Sequence, residues 1–268
     1  MSAVLLKREG DGVVVIRMNR PESFNSINQD MIDELHAAID EVGADRSCRV
    51  AVLTGEGRGF CSGLDLQAGH FALPGTEDMS EVPRQLKLQE TIVALVEKIH
   101  NSPKPFIAAV NGPATGGGFA LALACDVRVV ATTARFGAVF IKVGAQNADL
   151  GISYLLPRIV GAGRSAELLL TGRIFDGAEA DRIGLSSALV APDELITTAV
   201  GLAESIAVNG AFQLWMTKET MWHSLGAPSL HHAIVTENRT QIMTSMAGDC
   251  EEAFEAFRSG RKPTWRAM

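Results

Sequence analysis

The chemistry most legible in this sequence belongs to backbone amides rather than to side chains. Residues 104–130 read KPFIAAVNGPATGGGFALALACDVRVV. An apolar strand over 106–110 runs into a turn at Asn111, Gly112 and Pro113, and three successive glycines, Gly116, Gly117 and Gly118, open an apolar helix over 119–124. A glycine in a helix costs about 1 kcal/mol against alanine, so three in a row need a reason. At a helix N-terminus the first N–H groups have no partner, glycine lets a ligand approach them closely, and the helix dipole favours negative charge. The turn therefore suits an anion or a developing oxyanion. Close packing of helix on sheet is the other use for the same glycines, and both readings stand at this level. A second glycine turn, GEGRGFCSGLDL over 55–66, follows the apolar run 50–54. Alone it is an ordinary turn. Together the two turns can aim two amides at one oxygen, which is what an oxyanion hole requires.

The elements that must position these turns have an α/β pattern. Short β-branched runs at 13–18, 50–54, 106–110 and 126–130 alternate with helical stretches. The first helix is expected from Asn28, whose side chain can cap it, with Met31, Leu35, Ala38 and Val42 as its apolar stripe. A second stripe, Ile92, Leu95, Val96 and Ile99, ends before Pro103. Asp176 and Glu179 form a capping pair, and Gly184 closes that short helix. From Asp193 to Phe257 strand signals vanish and the chain is expected to be helical. Between Leu66 and Pro83 periodicity fails, which predicts a mobile loop and a candidate substrate lid. Phe71 and Met79 in it, with Phe140, could shape an acyl tunnel.

Composition narrows the classes. With 268 residues, 47% hydrophobic content and a formal net charge of −7 without a basic block, the chain can bury a large core and is a poor binder of nucleic acid. Cys48, Cys61, Cys125 and Cys250 stand singly, and the six histidines have no paired ligand spacing, so no metal is expected. Residues 1–10 carry Lys7, Arg8 and Glu9, no later run approaches about 18 apolar residues, and a cytoplasmic protein without membrane insertion is expected. Gly161, Gly163 and Ala166 imitate a dinucleotide fingerprint, but Pro157 and Arg158 break the preceding run and Asp181 falls in a helix.

The sequence resembles the enoyl-CoA hydratase/isomerase (crotonase) family. The resemblance runs through NRPESFNSIN (19–28), VAVLTGEGRGFCSGLDL (50–66), KPFIAAVNGPATGGG (104–118), ARFGAVFIKVG (134–144), LLPRIVG (155–161), ELLLTGRIFDGAEADRIGL (167–185) and RKPTW (261–265). It implies a crotonase-like spiral of ββα repeats over 1–200 and a helical C-terminal trimerisation region over 201–268, assembled as a homo-oligomer, a trimer or a dimer of trimers. It implies an acyl-CoA substrate and no separate cofactor. By position it assigns the oxyanion amides to Leu64 and Gly117, framed by Ser62, Gly63 and Gly116, places Ser26 in a loop bordering the CoA, and gives Asp65 a loop-holding role beside the substrate.

Two positions depart from the hydratase pattern. Where hydratases carry two glutamates that order water, this chain has Ala120 and Phe140, and neither can move a proton. One acid stands where Δ3,Δ2-enoyl-CoA isomerases keep their single base: Asp149, in AQNADLGISYLLPR. Enolate stabilisation with double-bond isomerisation is therefore the leading expectation. A hydratase using Asp149 or Asp65 and an acyl-CoA-binding protein without catalysis are the alternatives, and for Asp149 itself the bland role is to cap a helix starting near Gly151.

Overall fold

The computed structural model describes residues 2–67 and 75–266. The chain begins with a hairpin of β1 (Val4–Arg8) and β2 (Val13–Met18), followed by α1 (Gln29–Ala44), β3 (Val50–Gly55) and α2 (Glu81–His100). Next come β4 (Phe106–Val110), β5 (Pro113–Thr115), α3 (Gly117–Ala124), β6 (Val127–Ala131) and β7 (Arg135–Gly137). They lead to α4 (Ile152–Val160), α5 (Ala162–Thr171), β8 (Phe175–Asp176), α6 (Gly177–Arg182), β9 (Ala188–Val190) and α7 (Leu195–Ala207). The chain closes with α8 (Ala211–Leu225), α9 (Leu230–Ser245) and α10 (Asp249–Ser259).

The main sheet has the order β1-β2-β3-β4-β6-β9 and is parallel from β2 onward; β5, β7 and β8 form a second, smaller sheet. Two steps of the spiral, β4-β5-α3 and β6-β7-α4, lay one strand in the large sheet and one in the small sheet, then cross by a helix. Strands covered on both faces must be apolar throughout, and every residue of β3 and β4 is buried. On one face lie α1, α2 and α3, with Phe119, Phe136 and Phe175 in mutual ring contact at centroid distances of 5.5 to 5.9 Å. On the other face Leu195, Ala199, Ala203 and Ala207 of α7 cover Val13, Val15, Val50, Val52 and Ile107. Through α7 this core extends to Ala207.

Local signals explain the helix starts. Asn28 Oδ1 accepts from the Met31 amide at 3.0 Å, and Asp176 Oδ1 accepts from the Glu179 amide at 2.8 Å. The second helix begins earlier than its apolar stripe, at Glu81, because Pro83 lies in the first turn where no amide donor is needed. The expected loop is thus shorter at its C-terminal end, and Phe71 lies outside the described residues. Beyond α7 the helices bury little: α8 buries Met216 and Lys218, and α9 buries nothing among the described residues. No single helix among the described residues is long and apolar enough to cross a membrane.

Candidate active site

Two turns meet at the C-terminal ends of β3 and β4. After β3 the chain doubles back, so that Phe60 and Cys61 amides donate to Pro113 O at 3.1 and 3.0 Å and Thr115 N returns to Cys61 O at 3.0 Å. Thr115 Oγ1 also donates to Ser62 O at 2.9 Å. On the other side Ile27 N donates to Gly63 O at 2.8 Å and Asp65 N to Ile27 O at 2.9 Å. These bonds use the groups flanking Leu64. Its own amide points away from that bridge and meets no acceptor among the described residues. Gly117 is the first residue of α3, and its amide is likewise unused among the described residues.

The glycines are required in different ways. Gly63 has φ 92°, and a methyl group on it would lie 2.8 Å from Thr115 O and 3.3 Å from Gly117 N, so the two turns nearly touch. Gly116, at φ 53° and ψ −119°, sits in a region closed to other residues. A methyl on Gly118 would stand 1.9 Å from Cys61 O, so here close packing is the reason. The close-packing reading of the triple glycine thus holds at Gly118.

Side chains brace this frame. Asn25 Nδ2 donates to Glu56 O and Gly59 O at 3.0 and 2.7 Å, and Asn111 Nδ2 reaches Gly55 O and Gly57 O at 3.0 and 2.9 Å. Arg20 donates to Ser26 O at 2.6 Å and to Asp65 Oδ2 at 3.0 Å, tying the loop before α1 to the residue after Leu64. Burial works to raise the Asp65 pKa, but the bonds from Arg20, the Gln67 amide and Ser26 outweigh it and hold the carboxyl below the usual range. Ser26 is buried, and Ser62 Oγ donates to Ser23 O at 3.2 Å. Ser26, Ser62 and Asp65 therefore act as struts. Cys61 lies inside the turn, wholly buried, and burial pushes its thiol up to about 12. The bracing bonds of Arg20, Asn25 and Asn111 are not legible in the sequence; the left-handed backbone of Phe24 and Asn25, φ 52° and 55°, is what makes the loop before α1 compact.

Across the glycine turn the lining is apolar. Phe140 is half-buried, and its Cε1 is 3.4 Å from where a Gly116 methyl would sit. Ala120 has no exposed surface and belongs to the main core, so it lines the site only from within. Asp149 is half-exposed. Its Oδ1 accepts from the Leu150 amide at 2.7 Å and from Gln89 Nε2 at 2.6 Å. Leu150, held at φ 48°, puts Cδ1 3.5 Å from where a Gly117 methyl would be, so Asp149 is one residue from a side chain beside the second amide. The helix-cap role is overturned: α4 starts with Gly151 as its cap residue and no side-chain cap bond. Asn147 secures the loop, accepting from Ile141 N at 2.9 Å and donating to Leu169 O at 2.7 Å. Among the described residues no cluster of His, Cys, Asp and Glu could hold a metal ion. Gly161 and Gly163 precede and open α5, and Asp181 lies within α6, so the dinucleotide motif has no strand to follow.

A two-sheet spiral that brings two glycine turns with unused amides together is the crotonase architecture, a class that acts on acyl-CoA thioesters. The sequence profile of the enoyl-CoA hydratase/isomerase family matches residues 8–268, and the chain belongs to that family. A probable enoyl-CoA hydratase of Mycobacterium bovis is 37% identical over 269 residues, covering 99% of this chain and 93% of the relative. Among solved structures, a probable enoyl-CoA hydratase/isomerase from Mycobacterium abscessus superimposes with a TM-score of 0.91 at 34% identity over 99% of both chains. A monofunctional enoyl CoA isomerase from M. smegmatis gives 0.73 at 38% identity, covering 87% of this chain and 99% of that one.

Proposed function

We propose that the protein isomerises the double bond of an enoyl-CoA thioester. What supports this reading is that the loop whose Leu150 packs beside Gly117 carries one carboxylate, Asp149, while positions 120 and 140 hold Ala and Phe. Asp149 takes a proton from C2 of a 3-enoyl thioester, electron density moves to the thioester oxygen, and the Leu64 and Gly117 amides hold that oxygen as the dienolate forms. The same carboxyl returns the proton at C4, leaving the conjugated 2-enoyl thioester with no water consumed. Preorganised amides contribute roughly 10² to 10³ each and a positioned base roughly 10² to 10⁴. Water addition is what the names of the M. bovis relative and of several other relatives suggest. It needs a second group to order water, and Phe140 offers none.

The test is the rise of conjugated-thioester absorbance from 3-enoyl-CoA substrates. Wild type should convert them, and Asp149→Asn should lose roughly 10² in kcat while still binding acetoacetyl-CoA. Inactivity on every 3-enoyl chain length, together with water addition to 2-enoyl-CoA, would overturn the reading.

Self-association through α8 to α10 belongs to the same proposal. Leu230, Met246, Phe254 and Phe257 on these helices and the turn after α9 are exposed, with Phe257 at 86%. Light scattering should report a trimer or hexamer, and a monomer at all micromolar concentrations would contradict it.

A further inference from the structure

Gln89 stands on α2 one turn before Ile92 and two turns before Val96, both buried, so it shares the helix face turned to the protein body. Val96 Cγ1 comes within 3.7 Å of where a methyl on Gly151 would be, which places that face against the loop carrying Asp149. A carboxylate only accepts hydrogen bonds, so the NH₂ of Gln89 must be the group facing it. At 2.6 Å this bond is short, and it goes to Oδ1, the oxygen that also takes the Leu150 amide. Asp149 Oδ2 has no partner among the described residues.

This asymmetry has a chemical reading. The torsion that turns a carboxylate about its own axis is broad and has little intrinsic preference. Two donors converging on Oδ1 from different directions, one on the loop and one on a helix anchored in the core, remove that freedom. They also draw charge onto Oδ1 and leave Oδ2 bare. We infer that Gln89 is a positioning residue, which fixes the plane of the Asp149 carboxylate and presents Oδ2 to the substrate. The inference rests on Asp149 being the base. In that reaction the same oxygen must reach C2 and then C4, so a swinging carboxylate would lose time at the wrong carbon or return its proton to C2.

The experiment follows the base step alone. Exchange of the C2 protons of a saturated acyl-CoA in D₂O is measured by mass spectrometry for wild type, Gln89→Met, Asp149→Asn and the double variant, alongside kcat and KM for isomerisation. Methionine keeps the length of glutamine without the donor. Gln89→Met should slow exchange and kcat roughly tenfold with KM within about twofold, as misplacement of a reacting group does. In the Asp149→Asn background it should add nothing, because its effect acts through Asp149. A role in packing alone would instead lower the melting temperature and slow both backgrounds equally, and that result overturns the inference. So does full exchange in Gln89→Met while Asp149→Asn has lost it, which leaves the base reading intact. Full exchange in Asp149→Asn, or none in wild type, removes the base reading and this inference with it. Should Gln89→Met fail to fold, Gln89→Glu keeps the shape, replaces the donor by an acceptor, and carries the same expectation.

Discussion

The two halves of the site are held in opposite ways. The amides of Leu64 and Gly117 are backbone groups in a lattice: Ile27, Cys61, Ala114 and Thr115 bridge the turns, and Asn25, Asn111 and Arg20 brace them from outside. The proposed base, Asp149, is a single half-exposed side chain on a loop, and both of its donors meet one oxygen. A backbone donor that must meet developing charge without reorganising gains from rigidity. A carboxylate that must serve two carbons needs its plane fixed and one oxygen left open. Rigidity is therefore spread over many residues on one side and concentrated in very few on the other, so damage should be graded differently on each.

The largest expected effect is on the rigid side. Gly117→Pro deletes a donor, and kcat should fall roughly 10² to 10³ at unchanged circular dichroism. Gly117→Ala keeps the N–H and meets chiefly the side-chain ends of Ile27 and Leu150, at 3.1 and 3.5 Å, so it should stay within an order of magnitude of wild type. Equal rates for the two variants would break the assignment of that amide. Arg20→Met comes next. It strands Asp65 and frees the residue after Leu64, and should cost about 1 to 3 kcal/mol of stability by denaturant titration and less than tenfold in kcat, since the bridges remain. Phe140→Glu sharpens the comparison from the apolar wall by placing a carboxylate beside Gly116. A slow addition of water to 2-enoyl-CoA should emerge, read by loss of conjugated absorbance, and its complete absence would show that the missing glutamate is not what restricts the chemistry.

The smallest effect is in the pH dependence of stability. The folded-state pKa of Asp65 is depressed, so its contribution is present above the unfolded carboxylate value of about 4 and disappears as pH falls through the depressed value. Melting temperatures from pH 7 to 2.5 should decline more steeply below pH 4 for wild type than for Asp65→Asn, with no difference in slope between pH 5 and 7.

Much of the frame could be read from the chain because its cause is local. β4 is buried on both faces and announces itself as an unbroken apolar run, β2 is interrupted only by Arg17, and the caps at Asn28 and Asp176 act over three residues. The small sheet could not be read this way. Its strands have two or three residues, too few for a period, and exist because the spiral sets them side by side. The site divides similarly. Glycines that need φ above zero or a close approach mark themselves, and Gly63 and Gly116 to Gly118 stood out for that reason. Gln89, Arg20 and Asn147 are polar residues whose partners lie 60, 45 and 22 positions away. The one available hint for Gln89 was its alignment with the apolar stripe of Ile92 and Val96, where a polar side chain needs a partner.

The burial of Cys61 gains meaning from the product of the proposed reaction. A conjugated 2-enoyl thioester is a soft electrophile at C3, the kind of compound that alkylates thiolates, and the enzyme would form it at every turnover beside a turn that contains a sulfur atom. Cys61 is shut behind its own backbone, and with its thiol pushed up to about 12 the nucleophilic thiolate is essentially absent at neutral pH. The packing that lets Gly118 approach Cys61 O would thus also shield the protein from covalent capture by the product of the proposed reaction.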